Sequence, residues 1–125
     1  MTKDVNEIKS MLINLLKEHQ KSFKITADAN DKFEVCGTIP TMQGKQKVDG
    51  IYFASIVPKP KDVRLYFFPV YTHKDEIGEL TQNLQQALKG KSCFHIKYMD
   101  EEREKDLIDL FDRSVKVYQD AGLLK

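Results

Sequence analysis

Apolar positions along the first segment recur at helical spacing. Val5, Ile8, Leu12, Leu15, Leu16 and His19 fall on one stripe, which predicts a helix fading near Lys21. Asp4, three residues before Glu7, has the spacing of a capping box with Asp in the cap position. The period then changes to two. Phe23, Ile25 and Ala27 alternate with Lys24, Thr26 and Asp28; after the turn-forming cluster Asp28–Asp31, Phe33, Val35, Gly37 and Ile39 alternate with Glu34, Cys36 and Thr38. These two runs predict a hairpin with one wet face.

Pro40 through Gln46 reads as a loop. Two richer strands follow, Val48–Val57 and Val63–Tyr71, apolar at both parities and therefore expected to be covered, at least in part, on both faces. Gly50 suggests a bulge, and the prolines of Pro58–Asp62 cannot extend a ladder because they lack N–H donors. Thr72, with Asp75 and Glu76, opens a second helix whose stripe is Ile77, Leu80, Leu84, Ala87 and Leu88 and which Gly90 stops. Cys93–Tyr98 is a short fifth strand. Asp100 caps a third helix with Glu101 and Glu102 near its positive end, a stripe of Leu107, Ile108, Phe111, Val115 and Tyr118, and a stop at Gly122.

The order is helix, four strands, helix, strand, helix. That is an α+β domain spanning residues 1–125, in which an antiparallel sheet of about five strands packs with three helices. Its 125 residues suffice for one core without staples. A net charge of +1 offers no phosphate-neutralising excess, which argues against nucleic acid as a partner. No apolar run has the length of a membrane span, and Met1–Ser10 lacks the apolar stretch of a signal peptide. Cys36 and Cys93 have no Cys-x-x-Cys spacing; a secreted domain could pair them, but the missing signal argues for the reducing cytoplasm, and both read as free thiols in or near the core.

Candidate chemistry is sparse. His19, His73 and His95 have no partner at zinc spacing, and no glycine-rich phosphate loop or nucleophile elbow occurs, so no cofactor is expected. Cys93 and His95 share a strand face, but residues two apart stand about 6.6 Å apart along a strand, beyond the reach of a base activating a nucleophile. An enzymatic role for that pair is the third of three readings. Aromatic residues crowd the strands, and Tyr66, Tyr71, His73, His95 and Lys97 are the candidate polar lining of a ligand site. The last helix carries Glu101, Glu102, Asp106 and Asp109, oxygen ligands for a hard cation, interleaved with opposite charges at Lys105–Asp109, Asp109–Arg113 and Asp112–Lys116.

Three segments together resemble the YdhG-like superfamily, a bacterial domain of unknown function: Cys36-Gly-Thr-Ile-Pro40; Tyr52-Phe-Ala54 followed by Leu65-Tyr-Phe-Phe-Pro69; and Leu88-Lys-Gly-Lys-Ser-Cys-Phe-His-Ile-Lys97 before a charged helix. The resemblance covers the chain from about Lys21 onward and implies an α+β fold with an antiparallel sheet. Some members are labelled frataxin-like iron chaperones, which implies iron held on surface carboxylates. The leading expectation is a non-enzymatic domain, monomeric or weakly dimeric, that binds a small ligand or protein through its sheet face. The alternative is an iron-binding chaperone.

Overall fold

The computed structural model describes residues 1–125. Helix α1 runs Val5–Lys17 and buries Ile8, Leu12 and Leu16. Asp4 Oδ1 accepts from the Glu7 amide at 3.0 Å, which satisfies one of the unpaired donors of the first turn. A turn of 3₁₀-helix, Gln20–Ser22, leads into strands β1 (Lys24–Ala29) and β2 (Lys32–Cys36). The segment expected as a loop contains a small separate hairpin, β3 (Thr41–Gln43) with β4 (Gln46–Val48). Strands β5 (Tyr52–Pro58) and β6 (Val63–Phe67) are joined through the proline-bearing turn. Short helices follow at α2 (Pro69–Thr72), α3 (Lys74–Ile77) and α4 (Gln82–Ala87), then strands β7 (Leu88–Lys89) and β8 (Cys93–Ile96) and helix α5 (Glu101–Asp120).

The main sheet is antiparallel in every pairing and six-stranded, in the order β1-β2-β5-β6-β8-β7. The α+β class and antiparallel sheet match the sequence reading; the counts of five strands and three helices do not. The fifth predicted strand, β8, sits beside β6, and the added β7 forms a hairpin with it.

Cross-strand partners share a face, so the register sorts the side chains. One face carries Phe33, Val35, Ala54, Ile56, Val63, Leu65, Phe67, Phe94 and Ile96, all buried beneath α1, α4 and α5. The other carries Glu34, Cys36, Tyr52, Ser55, Arg64, Tyr66, Cys93 and His95, and no helix crosses it. Two-sided cover of the central strands was expected because both are apolar at both parities. In β6 the second parity is Arg64 and the exposed Tyr66, with Phe68 past the strand end. In β5 a bulge explains the pattern. Val35 faces Ala54 and Cys36 faces Tyr52, so Phe53 is an inserted residue. Its ring enters the core against Phe23 (4.6 Å), Phe67 (5.1 Å) and Tyr118 (5.6 Å).

Gly50 is not the bulge. A Cβ there would stand 1.8 Å from the Gly37 carbonyl oxygen, so the residue is small because two backbones cross at that point.

The second helix predicted over Thr72–Gly90 is three pieces. Pro69, without an amide donor, ends the strand before Tyr71 and opens α2. Gly78 then stops α3 with φ 82 and ψ −166, a region that residues with a Cβ scarcely enter. Thr81 restarts the helix, its Oγ1 accepting from the Leu84 amide at 3.3 Å. Gly90, expected as the helix stop, lies instead in the β7–β8 turn.

Helices of four to six residues have almost no stability of their own. Helix α5 holds them. Thr72 Oγ1 and Tyr118 OH are 2.6 Å apart, Arg113 donates to the Ile77 carbonyl, Thr81 Oγ1 donates to Asp106 at 2.8 Å, and Arg103 Nε donates to Asn83 Oδ1 at 2.6 Å. Arg103 is buried, its guanidinium 4.0 Å above the Tyr98 ring. Asp100 caps α5, accepting from the Arg103 amide at 2.8 Å. The buried stripe of α5 is Leu107, Leu110, Phe111, Val115 and Tyr118; Ile108, expected on it, is 39% exposed because it lies one position off the face.

The crossing of Gly50 over Gly37 sets the first prediction. Gly50→Ala forces the two segments apart and lowers unfolding free energy by about 3 kcal/mol, as overpacked sites do. Urea denaturation measures this. A loss under about 0.5 kcal/mol, the range of ordinary surface substitutions, would contradict the crossing.

Candidate functional site

Two surfaces have the shape and chemistry of a site: the uncovered sheet face and a groove beside it.

On the sheet face, β1, β2 and β5 bring together a closed polar network. Glu34 accepts from Thr26 Oγ1 at 2.7 Å and Ser55 Oγ at 3.0 Å, and Lys32 Nζ lies 3.1 Å away. With its proton committed to Glu34, Ser55 Oγ accepts from Tyr52 OH at 2.6 Å. Burial pushes the Glu34 carboxyl up, but the bonds from Thr26, Lys32 and Ser55 outweigh it and the group ionises below its usual range. Burial raises the Tyr52 phenol to about 12. Every partner here is occupied within the network, so this half of the face is structural.

Strands β6 and β8 carry the other half. Tyr66 faces Cys93, and Arg64 faces His95. Tyr66 and His95, whose shared face depended on strand order, therefore stand as diagonal neighbours on the open side. Asp62, buried in the β5–β6 turn, accepts from Arg64 Nε at 2.9 Å, with His95 Nδ1 3.9 Å from its other oxygen. Burial pushes the His95 imidazole below its ordinary value, the Arg64 charge adds to this, and Asp62 opposes it. Burial also raises the Cys93 thiol, and it raises the Cys36 thiol on the same face. Both cysteines are free and half-buried on the open face rather than packed in the core. His95 makes no hydrogen bond to Cys93; its polar neighbour is Asp62. The thiol has neither an adjacent base nor a lowered pKa, the two conditions that make cysteine a nucleophile.

The groove lies where the helix breaks. It encloses about 770 Å³ among α2, α3, the segment after Gly78, α4 and the β7–β8 turn. Val70, Ile77, Leu80 and Leu88 form its apolar lining; Lys74 and Lys91 bring positive charge, and Asp75 and Glu79 negative. Tyr71, 53% exposed, stands at its edge with Lys91 Nζ 5.6 Å from the ring centre. Tyr71 also packs on Phe68 (6.1 Å), which packs on Tyr52 (5.4 Å), so a row of rings joins the groove to the sheet face.

The five residues expected to line one site are therefore dispersed. Tyr71 lines the groove; Tyr66 and His95 lie on the sheet face, and Lys97 is exposed just beyond β8. His73 turns away from both, its Nδ1 2.9 Å from Thr72 Oγ1 and its ring against Tyr118. The groove residues Lys74, Glu79, Leu80 and Lys91 were missed, although Gly78 followed three residues later by the capping Thr81 is a stop-and-restart signal.

Among the carboxylates of α5, Asp106 accepts from Thr81 and Asp109 pairs with Arg113 at 2.8 Å, while Glu101 and Glu102 are exposed in the first turn. Asp112 pairs with His19 at 2.8 Å and Lys116 with Asp120 at 3.5 Å, not with each other; nor does Lys105 pair with Asp109. No three His, Cys, Asp or Glu side chains converge to hold a metal. No helix is long and apolar enough to cross a membrane.

No protein-family model matches the chain, and no curated protein or solved structure matches it either.

The raised thiols carry a direct test. At pH 7.5 iodoacetamide alkylates Cys36 and Cys93 more slowly than a small-molecule thiol such as glutathione, and both rates climb as pH rises toward 10. Mass spectrometry of quenched time points reads this. Alkylation of Cys93 as fast at pH 6 as at pH 8 would mean a thiolate held at neutral pH and would reopen a nucleophilic role.

Proposed function

We propose that this chain is a non-enzymatic binding domain that takes a small ligand in the groove beside Tyr71. The observation that carries this reading is the groove itself. Its volume of about 770 Å³ falls within the range of small-molecule sites, and its composition is theirs: an apolar floor with a few charged groups at the rim. A flat aromatic or aliphatic body would lie on Val70, Ile77 and Leu80 against Tyr71, with a carboxylate reaching Lys74 or Lys91. The raised Cys93 thiol, and its lack of a bond to His95, favour binding over catalysis. The same reading puts the domain in the cytoplasm, where two unpaired thiols stay reduced. Kinship with the YdhG-like superfamily belongs to this proposal and rests on the three sequence segments that suggest it.

Fragment binding tests the reading. Benzoate, indole and benzylamine are titrated into ¹⁵N-labelled protein, and amide shifts are followed by NMR. The expected shifts cluster at Tyr71, Gly78, Leu80 and Gly90, and Leu80→Asp weakens the bound fragments at least tenfold by charging the apolar floor. Absence of shifts at the groove for all three probes, or binding undiminished by Leu80→Asp in folded protein, contradicts it.

A further inference from the structure

The net charge of +1 is a sum over two layers of opposite sign. Acidic residues outnumber basic ones along α5, on the helical side. The open face of the sheet is the reverse. Lys24, Lys32, Arg64, Lys89 and Lys97 fall on it by register or alternation. Its carboxylates are Glu34 and Asp62, and both are already bonded, to Thr26, Ser55 and Lys32 and to Arg64 respectively. Lys89 and Lys97 are exposed and form no ion pair. A near-neutral total therefore does not weigh against a polyanionic partner here, because the field that a partner meets is local.

The positive half of this face surrounds flat rings. Lys89, Cys93 and Tyr66 form one cross-strand row, and His95 and Arg64 form the next. Tyr66 is 37% exposed in the middle of the sheet, and its ring offers a flat apolar surface with a polar tip, the combination enriched at interfaces. Tyr66 and His95, as diagonal neighbours, stand about 7–8 Å apart, far enough for two successive bases to rest on separate rings.

We propose that the open face of the sheet binds single-stranded nucleic acid, with Tyr66 and His95 as stacking surfaces and Arg64, Lys89 and Lys97 meeting the phosphates. Splayed bases on aromatic side chains, with a basic surface tracking the backbone, are how sheet proteins hold single strands. An acidic polypeptide would satisfy the cations but gives no use for an exposed ring at their centre. This site is separate from the groove and does not rest on the small-ligand reading.

The test is fluorescence anisotropy with fluorescein-labelled 12-nucleotide oligo-uridylate and oligo-thymidylate. Micromolar affinity is expected in 50 mM salt, falling roughly 10- to 20-fold in 200 mM salt for three neutralised phosphates. Tyr66→Ala lowers affinity about fivefold or more through the lost stacking, Tyr66→Phe retains it, and Lys89→Ala with Lys97→Ala flattens the salt dependence. Lys116→Ala, on the helical side, changes nothing. Circular dichroism checks that each variant is folded, and all four substituted positions are exposed. The proposal is overturned if neither oligonucleotide binds in 50 mM salt. It is also overturned if Tyr66→Ala binds as wild type, or if polyglutamate displaces the oligonucleotide at equal charge concentration, which would assign the face to an acidic polypeptide.

Discussion

Four rings fix this structure: Phe53 and Phe67 from the sheet, Phe111 and Tyr118 from α5. Phe67 stacks on Phe111 at 5.0 Å, and Phe53 meets Tyr118 edge-on at 5.6 Å. Each ring is at most 1% exposed, and loss of such a ring costs about 3–5 kcal/mol. This contact seats α5 on one face of the sheet. The rest of the helical layer depends on that seating, because the three short helices are tied to α5 by Tyr118, Arg113, Asp106 and Arg103. With the helices all on one side, the other face of the sheet remains open. The groove and the open face are both consequences of where α5 sits.

The polar residues divide along the same line. Tyr118 is deep enough in the core that burial raises its phenol to about 12, so its hydroxyl works only as a hydrogen-bond partner to Thr72. On the sheet, Glu34 draws Thr26, Ser55 and Lys32 into one knot and makes the β2–β5 half self-sufficient. The β6–β8 half has no such closure: Lys89 stands unpaired in the row of Tyr66, and Lys97 stands unpaired beyond His95 at the far end of β8. A surface left unsatisfied beside one that is fully satisfied is where recognition is expected.

Much of the fold was legible in the chain. The stripes of α1 and α5 are long and capped by Asp4 and Asp100, and β2 alternates strictly, so pattern and local chemistry agree; in β1 a bulge at Thr26 breaks the expected alternation, pairing Ile25 with Val35 on the core face and Ala27 with Glu34 on the open one. Legibility failed where elements are short. Between Thr72 and Gly90 the apolar spacing suits one helix, and only the backbone demand at Gly78 reveals that it is broken. The groove was invisible for that reason: an unbroken helix has no such cleft. In β5 the inserted Phe53 put apolar residues at both parities and imitated a strand covered on two sides. Tyr66 and His95 were picked out as polar-tipped rings on strands, but their common face depends on the non-local β6–β8 pairing. His73 looked equivalent in sequence, and its contact with Tyr118, 45 residues away along the chain, takes it elsewhere.

The central claim is that the β6–β8 half of one sheet face lies open in solution. Solvent paramagnetic relaxation with a neutral gadolinium chelate measures that face residue by residue. Side-chain protons of Tyr66 and His95 are predicted to relax strongly while those of Phe67 and Ile96, one position along the same strands, stay protected. Equal protection of all four would mean that the face is covered, by a second copy or by the chain itself, and would contradict the account.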